Sequence, residues 1–280
     1  MKFFFFLFLL VGMLVHAKER IVSLSPSITE ILFALGKGEE IVGTSAFSLY
    51  PKEAQNIPVV GGYETPNLEK IIALKPTIVF GQSYIAPTLK KLEHFGIQTV
   101  ALEFKTLKDI KTSIKTIAKE VHAKDENLTK TIDDALLHAK KNTAPHSVMI
   151  VYGLHEDLRS GIYIAGKNIF FDDIIMACGH TNAYTSTLTA QPRLSYENVI
   201  ALNPQQIIIL HSRASNPNVN EQKALEAWHA IPTEASKNNR ISIVDEPYIH
   251  IPSHRVALSI ERLCREMNEF NFNLSAVQYE

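Results

Sequence analysis

The sequence predicts an α/β protein with two Rossmann-like lobes, each built around a central parallel sheet and joined by one long α-helix. Short strands of the buried type alternate with helical segments in both halves of the chain, which is typical of parallel sheets covered on both faces. One helix-proline-strand unit occurs in each half, and a long stretch with helical spacing separates the halves. Together these three observations favour two lobes over one large domain.

The N-terminus has the pattern of a secretory leader. Met1 and Lys2 precede the apolar run Phe3–Val15, and Val15-His16-Ala17 ends in the small-x-small manner of a signal-peptidase site. At about 13 residues, the run is shorter than the roughly 20 that a membrane-spanning helix needs. We therefore expect residues 1–17 to be a cleaved signal peptide, with an uncleaved anchor as the alternative. Because no cysteine lies near the cleavage point, we expect a periplasmic protein without a lipid anchor.

Residues 18–106 are interpreted as the N-terminal lobe. A strand over 21–24 leads into a helix over 28–35, for which Ser25 or Ser27 is the expected N-cap and Gly36 the C-terminal stop. Strands and helices then alternate up to residue 102. We expect further strands over 41–43, 77–80 and 99–102, and helices over 68–74 and 86–95.

Residues 107–144 are interpreted as a linking helix. Apolar side chains recur at helical spacing from Leu107 to Leu136 without Gly or Pro, which predicts one helix of about 30 residues. We interpret it as a spine between the lobes; the alternative is an ordinary crossover helix of one large sheet. Residues 145–280 then form the C-terminal lobe, which begins with a strand over 147–152.

An internal repeat supports the division into two lobes. The segment Glu69–Val79 reappears as Glu197–Ile207. In both copies a glutamate opens a short helix, where its charge favours the helix N-terminus, and a proline closes the helix before a buried strand. Two copies on either side of one long helix are stronger evidence for two lobes than a single such unit would be.

Charge and motifs argue against several classes of protein. The 28 Lys and Arg residues nearly balance the 29 Asp and Glu residues, and no block of like charge occurs, so we expect neither a nucleic-acid nor an anionic-membrane partner. The chain has no Walker-type loop, G-x-S-x-G elbow, H-E-x-x-H or C-x-x-C motif, so we expect no enzyme.

Two rival classes remain open. One is an exported zinc-dependent hydrolase using His211, His250 and His254, although Pro252 interrupts the helix that the spacing of the last two would need. The other is an interaction protein with no transport role.

Aromatic and polar residues stand out at strand-to-helix junctions, where the carboxyl ends of parallel strands bind ligands. Aromatic faces suit a large flat ligand, while Arg and His can meet its carboxylates, phosphate or metal. For each aromatic residue the alternative is simple packing in a lobe core. The candidate ligand-binding residues are Phe47, Tyr50, Tyr63, Tyr84, Tyr163, Arg193, His211, Tyr248 and His250.

The chain has only two cysteines, Cys178 and Cys264. Export to an oxidising compartment makes this pair a candidate disulfide. The alternative is two buried thiols that pack as small hydrophobic side chains.

Several segments resemble the periplasmic proteins that bind metal chelates (siderophores, haem and cobalamin) and have a rigid helical backbone. The resemblance covers nearly the whole mature chain and implies two lobes with a cleft between them, limited closure on the ligand, a Cys178–Cys264 bridge, and delivery as a monomer to an inner-membrane ABC permease dimer. The matching segments are Arg20–Glu30, Tyr50–Gln55, Asn67–Pro76, Ala177–His180, Ser195–Glu197 and Arg255 to Cys264.

The same resemblance implies roles for particular residues. Family members use one glutamate on each lobe to meet arginines of the permease, and these fall on Glu69 and Glu197; the alternative is two ordinary helix N-terminal acids. Cobalamin is the first expectation for the ligand, with ferric siderophore, haem or a nickel chelate as alternatives. Gln82 and Gln191 stand where cobalamin-binding members carry tryptophans. We expect no resident cofactor and no metal held directly, with His211, His250 and His254 as possible axial or chelate contacts.

Overall fold

The N-terminal lobe is a four-stranded parallel sheet flanked by helices. The computed structural model describes residues 19–139, 144–212 and 218–269, so the predicted leader lies outside the described residues. The strand order is β2-β1-β3-β4. Its elements are β1 (Ile21–Ser23), α1 (Pro26–Ala34), β2 (Ile41–Thr44), α2 (Leu68–Ala73), β3 (Ile78–Gln82), α3 (Ala86–Glu93) and β4 (Gln98–Leu102).

Helix α1 follows the local sequence signals closely. Ser25 is its extended N-cap, Pro26 occupies the first turn, and Gly36 takes a left-handed φ of 76° just after the helix ends. The apolar residues of α1 pack into the core, which fixes the helix against the sheet. The predicted start and stop of this helix are confirmed.

The linking region differs from the prediction. It consists of α4 (Leu107–Glu120) and α5 (Glu126–His138), so the prediction of one long helix was wrong. His122 adopts a left-handed φ of 52°, which ends the first helix. Val121 and Ile132 are both fully buried in the same core. The apolar spacing therefore continues across the break, and periodicity alone did not reveal it.

The C-terminal lobe has a second parallel sheet in the order β10-β9-β5-β7, with a small antiparallel pair β6-β8 beside it. The prediction of two α/β lobes with parallel sheets is thus confirmed, while their boundaries at residues 106 and 144 remain predictions. The elements of the C-terminal lobe are β5 (Ser147–Tyr152), β6 (Ile162–Tyr163), α6 (Phe170–Ala177), β7 (Thr181–Asn182), β8 (Arg193–Leu194), α7 (Tyr196–Leu202), β9 (Gln206–His211), α8 (Glu221–His229), α9 (Glu234–Lys237), β10 (Ile241–Asp245) and α10 (Val256–Glu269).

The repeated segments adopt the same structure in the two lobes. Helix α2 is capped by the Asn67 side chain, which accepts from a backbone N–H, and α7 is capped in the same way by Ser195. Each helix is followed by a residue with a left-handed φ, 47° at Lys75 and 45° at Asn203, before the chain enters a buried strand. The sequence repeat is therefore a structural repeat.

Each lobe has a hydrophobic cluster of its own, and a larger core runs through both. It joins α1 and the first sheet to α4, α5, α6, α10 and the second sheet. The disulfide Cys178–Cys264 ties the end of α6 to α10, with the two Cα atoms 5.2 Å apart, which confirms the predicted pairing. Among the described residues, none of the helices combines the length and the apolar character needed to cross a membrane.

Candidate ligand-binding cleft

The N-terminal wall of the candidate site carries exposed aromatic side chains. Phe47 and Tyr50 follow β2, Tyr63 lies in the loop before α2, and Tyr84 lies just after β3. Their side chains are 41 to 71% exposed, although large aromatic residues normally bury most of their area. This grouping at the carboxyl end of the sheet is where the sequence placed ligand contacts, and it argues against packing in the lobe core for these four residues.

Two features of this wall indicate that its aromatic side chains are held in specific positions. Phe47 has a φ of 68°, a left-handed conformation that is uncommon for a bulky residue and frequent at binding sites. Burial raises the pKa of the Tyr84 phenol to about 12, with smaller effects from Tyr63 and Glu64. Tyr84 and Tyr63 therefore lie close enough to interact, and the Tyr84 phenol stays a neutral hydrogen-bonding group.

The C-terminal wall combines an aromatic residue with an arginine. Tyr163 of β6 pairs with Arg193 of β8 across the short antiparallel ladder. The Arg193 guanidinium lies 5.9 Å from the Tyr163 ring and donates to the Ser160 carbonyl oxygen. Tyr163 is half exposed. The pair offers a flat face beside a positive charge.

Histidines and a tyrosine occupy the carboxyl ends of the strands of the second sheet. His211 is the last residue of β9 and is buried, while Tyr152 ends β5 with its ring 6.0 Å from that of His250. Burial, with a smaller effect from His211, lowers the pKa of His250 to about 4. His250 is therefore neutral at physiological pH. It can donate or accept a hydrogen bond or bind a metal, but it carries no positive charge with which to meet an anionic group of a ligand.

Arg255, which precedes α10, contacts one aromatic residue from each lobe. Its guanidinium carbon lies 3.8 Å from the ring of Tyr50 and 5.8 Å from that of Tyr248. Tyr50 belongs to the N-terminal lobe and Tyr248 follows the last strand of the C-terminal lobe. The predicted aromatic residues of the two lobes therefore approach one another at the junction.

Two hollows lie outside this surface or at its margin. One of about 220 Å³ lies at the lobe junction and is lined in part by Tyr50 and His254. Another of about 410 Å³ lies between α5 and α10, and the nearby Asn268 interacts with His180, which precedes β7. The larger hollow is thus near the amino ends of the strands, whereas ligands of parallel sheets bind at the carboxyl ends. The candidate site is therefore the surface that carries the predicted aromatic residues, at the carboxyl ends of the strands.

The three predicted histidines do not form a metal centre. His254 and His250 have different charged neighbours. Burial and the neighbouring Arg255 lower the pKa of His254 to about 4, whereas the neighbour that lowers the pKa of His250 is His211. Within residues 19–139, 144–212 and 218–269, no three His, Cys, Asp or Glu side chains converge in a metal-binding arrangement. The zinc-dependent hydrolase therefore lacks the ligand cluster that it requires in this part of the chain.

Some residues of the site were missed or given another role by the sequence reasoning. Gln82 donates to the buried Ser25 hydroxyl at 3.0 Å and so fixes the start of α1. Glu30 is buried and bonded to Ser253 and Arg255. A signal for Glu30 existed, because it is the only charged residue among the apolar positions of α1.

The predicted docking residues occupy equivalent positions on the two lobes. Glu69 and Glu197 are each the second residue of their helix, α2 and α7, and both side chains are exposed. A hydrogen bond from Ser195 lowers the pKa of Glu197, which keeps that carboxylate charged. The two acids are equivalent through the structural repeat, and their docking role remains a prediction.

Fold and site together define a two-lobed solute-binding protein. The family model described as periplasmic binding protein matches residues 21–248, and the chain belongs to this family. It is 28% identical over 272 residues to a vitamin B12-binding protein of Pectobacterium atrosepticum, covering 93% of this chain and 92% of that one. It is 30% identical over 253 residues to the vitamin B12-binding protein of Vibrio parahaemolyticus, covering 88% of each.

Solved structures show the same fold. A periplasmic haem-binding protein from Roseiflexus sp. in apo form is 25% identical, with a TM-score of 0.74 and coverage of 91% of this chain and 99% of that chain. The periplasmic vitamin B12-binding protein of Vibrio cholerae is 23% identical, with a TM-score of 0.69 and coverage of 90% and 98%. The predicted family is confirmed, and its members are binding proteins.

Proposed function

We propose that this chain is the substrate-binding protein of an ABC importer, exported by its leader, and that it binds a cobalamin-type metal chelate between its lobes. The observation that carries the proposal is the set of exposed aromatic side chains after the strands of the N-terminal sheet, with Tyr163 exposed on the other lobe and the half-buried Tyr248 brought near Tyr50 by Arg255. Leaving several aromatic side chains exposed to water in one region is unfavourable. Such surfaces are typical of sites that a flat ligand covers.

The chemistry of the cleft suits a corrinoid. Tyr50, Tyr63 and Tyr163 offer faces on which a large planar ring system can pack, with little loss of side-chain entropy. Arg193 beside Tyr163 places one guanidinium where a ligand phosphate or amide carbonyl can be recognised. Two relatives that align with this chain over most of their length are named vitamin B12-binding proteins, which supports the same ligand.

Haem or a ferric siderophore is the second candidate, and one observation favours it. His250 and His211 lie together at the carboxyl ends of the second sheet, and burial keeps His250 neutral, the form in which imidazole binds iron. Tyr152 lies beside His250. An iron chelate would use this side of the cleft more than the aromatic wall of the N-terminal lobe.

Delivery to the permease would use Glu69 and Glu197. Each exposed carboxylate stands at the start of an equivalent helix, so a pseudo-symmetric pair of charges faces outward from the two lobes. Such pairs set the register of docking and speed encounter with a basic partner more than they add affinity. We propose that each glutamate meets one subunit of the permease dimer. The protein itself performs no chemistry in this scheme.

Gel filtration of the purified mature protein mixed with cyanocobalamin, haemin or a ferric catecholate siderophore tests the proposal. We expect cyanocobalamin to co-elute in a one-to-one ratio, read from its visible absorption, because the aromatic walls together cover both faces of the corrin. Co-elution of haemin or the siderophore alone would replace the first ligand with the second candidate. Elution with none of the three would overturn the proposed function.

A further inference from the structure

A buried ion pair crosses between the lobes behind the cleft. Glu30 lies on α1 of the N-terminal lobe, and its side chain is 1% exposed. Its carboxylate accepts from Arg255 Nε at 3.0 Å, from Arg255 Nη2, and from the Ser253 hydroxyl. Ser253 and Arg255 both lie in the segment between β10 and α10 of the C-terminal lobe. Within the described residues, every hydrogen bond that this carboxylate accepts therefore comes from the other lobe.

The geometry of the pair is fixed at both ends. Two nitrogens of one guanidinium meet the two oxygens of one carboxylate, an arrangement that specifies angle as well as distance. The Ser253 hydroxyl also accepts from the Arg255 backbone N–H at 3.2 Å, which orients the serine toward Glu30. The contact thus fixes both the separation and the relative angle of α1 and the segment before α10.

The same guanidinium supports the aromatic surface. Its carbon lies 3.8 Å from the Tyr50 ring of one lobe and 5.8 Å from the Tyr248 ring of the other. Contact of a guanidinium with an aromatic face is favourable and restrains the ring. Arg255 therefore couples the placement of two aromatic residues to the ion pair with Glu30.

Stability alone is a poor explanation for this arrangement. Moving a carboxylate and a guanidinium out of water costs about as much as their attraction returns, and apolar residues of similar volume often stabilise a fold equally well. Buried ion pairs are better suited to selecting one arrangement over others. The linking region is two helices rather than one continuous helix. An additional contact between the lobes therefore helps to fix their relative position.

We propose that Glu30 and Arg255 are positioning residues of the cleft: their ion pair sets its width and holds Tyr50 and Tyr248 in place before the ligand arrives. The inference rests on the proposed function for its effect on binding, but its effect on lobe geometry is independent of any ligand. A preformed cleft loses less conformational freedom on binding, so the clamp raises affinity without either residue having to touch the ligand.

The test compares wild type with the double variant Glu30→Gln/Arg255→Met, which leaves no unpaired charge in the junction. Spin labels at Lys91→Cys on α3 and Lys223→Cys on α8, both exposed, report the distance between the lobes by pulsed electron spin resonance. The native cysteines do not interfere because they form a disulfide. We expect one narrow distance distribution in ligand-free wild type and a broader one in the double variant. We also expect the variant to bind cyanocobalamin at least ten-fold more weakly.

A matched control removes an ion pair that lies within one lobe. Lys167 contacts Asp172 at 2.8 Å, and the variant Lys167→Met/Asp172→Asn should leave the distance distribution unchanged. If Glu30→Gln/Arg255→Met does not fold, Arg255→Lys, which keeps the charge but loses the planar fork, should broaden the distribution to a smaller extent.

A narrow distribution and wild-type affinity in the folded Glu30/Arg255 variant would overturn the inference. Failure of wild type to bind any probe would instead refute the proposed function. The broadening measured without ligand would still support the clamp, so the two failures are distinguishable.

Discussion

Three histidines of the C-terminal lobe are held neutral by their surroundings. Burial lowers the pKa of His180, His250 and His254 to about 4 each, with smaller effects from His146, His211 and Arg255 respectively. In the unfolded chain these histidines take up protons near their ordinary pKa of 6.5. Between pH 6.5 and 4 the unfolded state therefore binds more protons than the native state, and stability falls as the pH falls.

We predict a loss of stability between pH 7 and pH 5. Each histidine contributes at most about 1.4 kcal/mol per pH unit within this window. Urea unfolding at pH 7, 6 and 5 measures the free energy of unfolding and hence this loss. The variant His180→Gln should flatten the dependence, whereas His94→Gln, which alters an exposed side chain, should not. A free energy of unfolding that stays constant over this range, or an equal slope in His180→Gln, would contradict the assignment.

At this scale the sequence indicated which aromatic and basic residues are candidates for ligand contact but not their electrostatic state. Position after a strand is visible in sequence, so Tyr50 and Tyr84 could be proposed directly. Neutrality of His250, which lies between β10 and α10, depends on burial and on His211 at the end of β9. The partner of Glu30 likewise lies in another lobe and could not be read from local sequence.

Two equivalent helices carry the proposed docking residues. Helices α2 and α7 share the same N-cap arrangement, and each presents a glutamate at its second position. The repeat could be predicted because helix caps, prolines and buried strands all leave local signals in sequence. The break between α4 and α5 could not, because the apolar spacing runs through it and a left-handed φ at His122 has no strong sequence signal.

We predict that Glu69→Ala/Glu197→Ala abolishes most cobalamin uptake while leaving ligand binding unchanged. The substitution removes exposed charges that would meet the permease and touches no residue of the cleft. Uptake of labelled cobalamin is measured in cells whose only copy of the gene carries the variant, and binding is measured on the purified protein. Each single variant should retain intermediate uptake, because one lobe can still dock.

Glu126→Ala provides the matched control for docking. It removes an exposed glutamate from the first turn of α5, outside the repeated unit, and should leave uptake unchanged. Normal uptake by the double docking variant would contradict the assignment of Glu69 and Glu197.

At the scale of the whole molecule, the contacts that hold the lobes together include a shared hydrophobic core, two linking helices and the Glu30–Arg255 pair. The two-lobe architecture could be predicted from the alternation of strands and helices and from the repeat. The identity of the ligand could not, because aromatic walls accept any large flat molecule, and discrimination depends on a few polar groups brought together from distant segments.

Equilibrium titration of cyanocobalamin into wild type and Tyr50→Ala/Tyr163→Ala tests the central claim most directly, because these residues come from opposite lobes. Phe95→Ala, which removes an exposed aromatic residue after α3, is the control. We predict one site per chain in wild type, affinity at least 100-fold lower in the double variant, equivalent to about 2.7 kcal/mol, and no change in the control. Equal affinity in all three proteins would contradict the assignment of this cleft as the binding site.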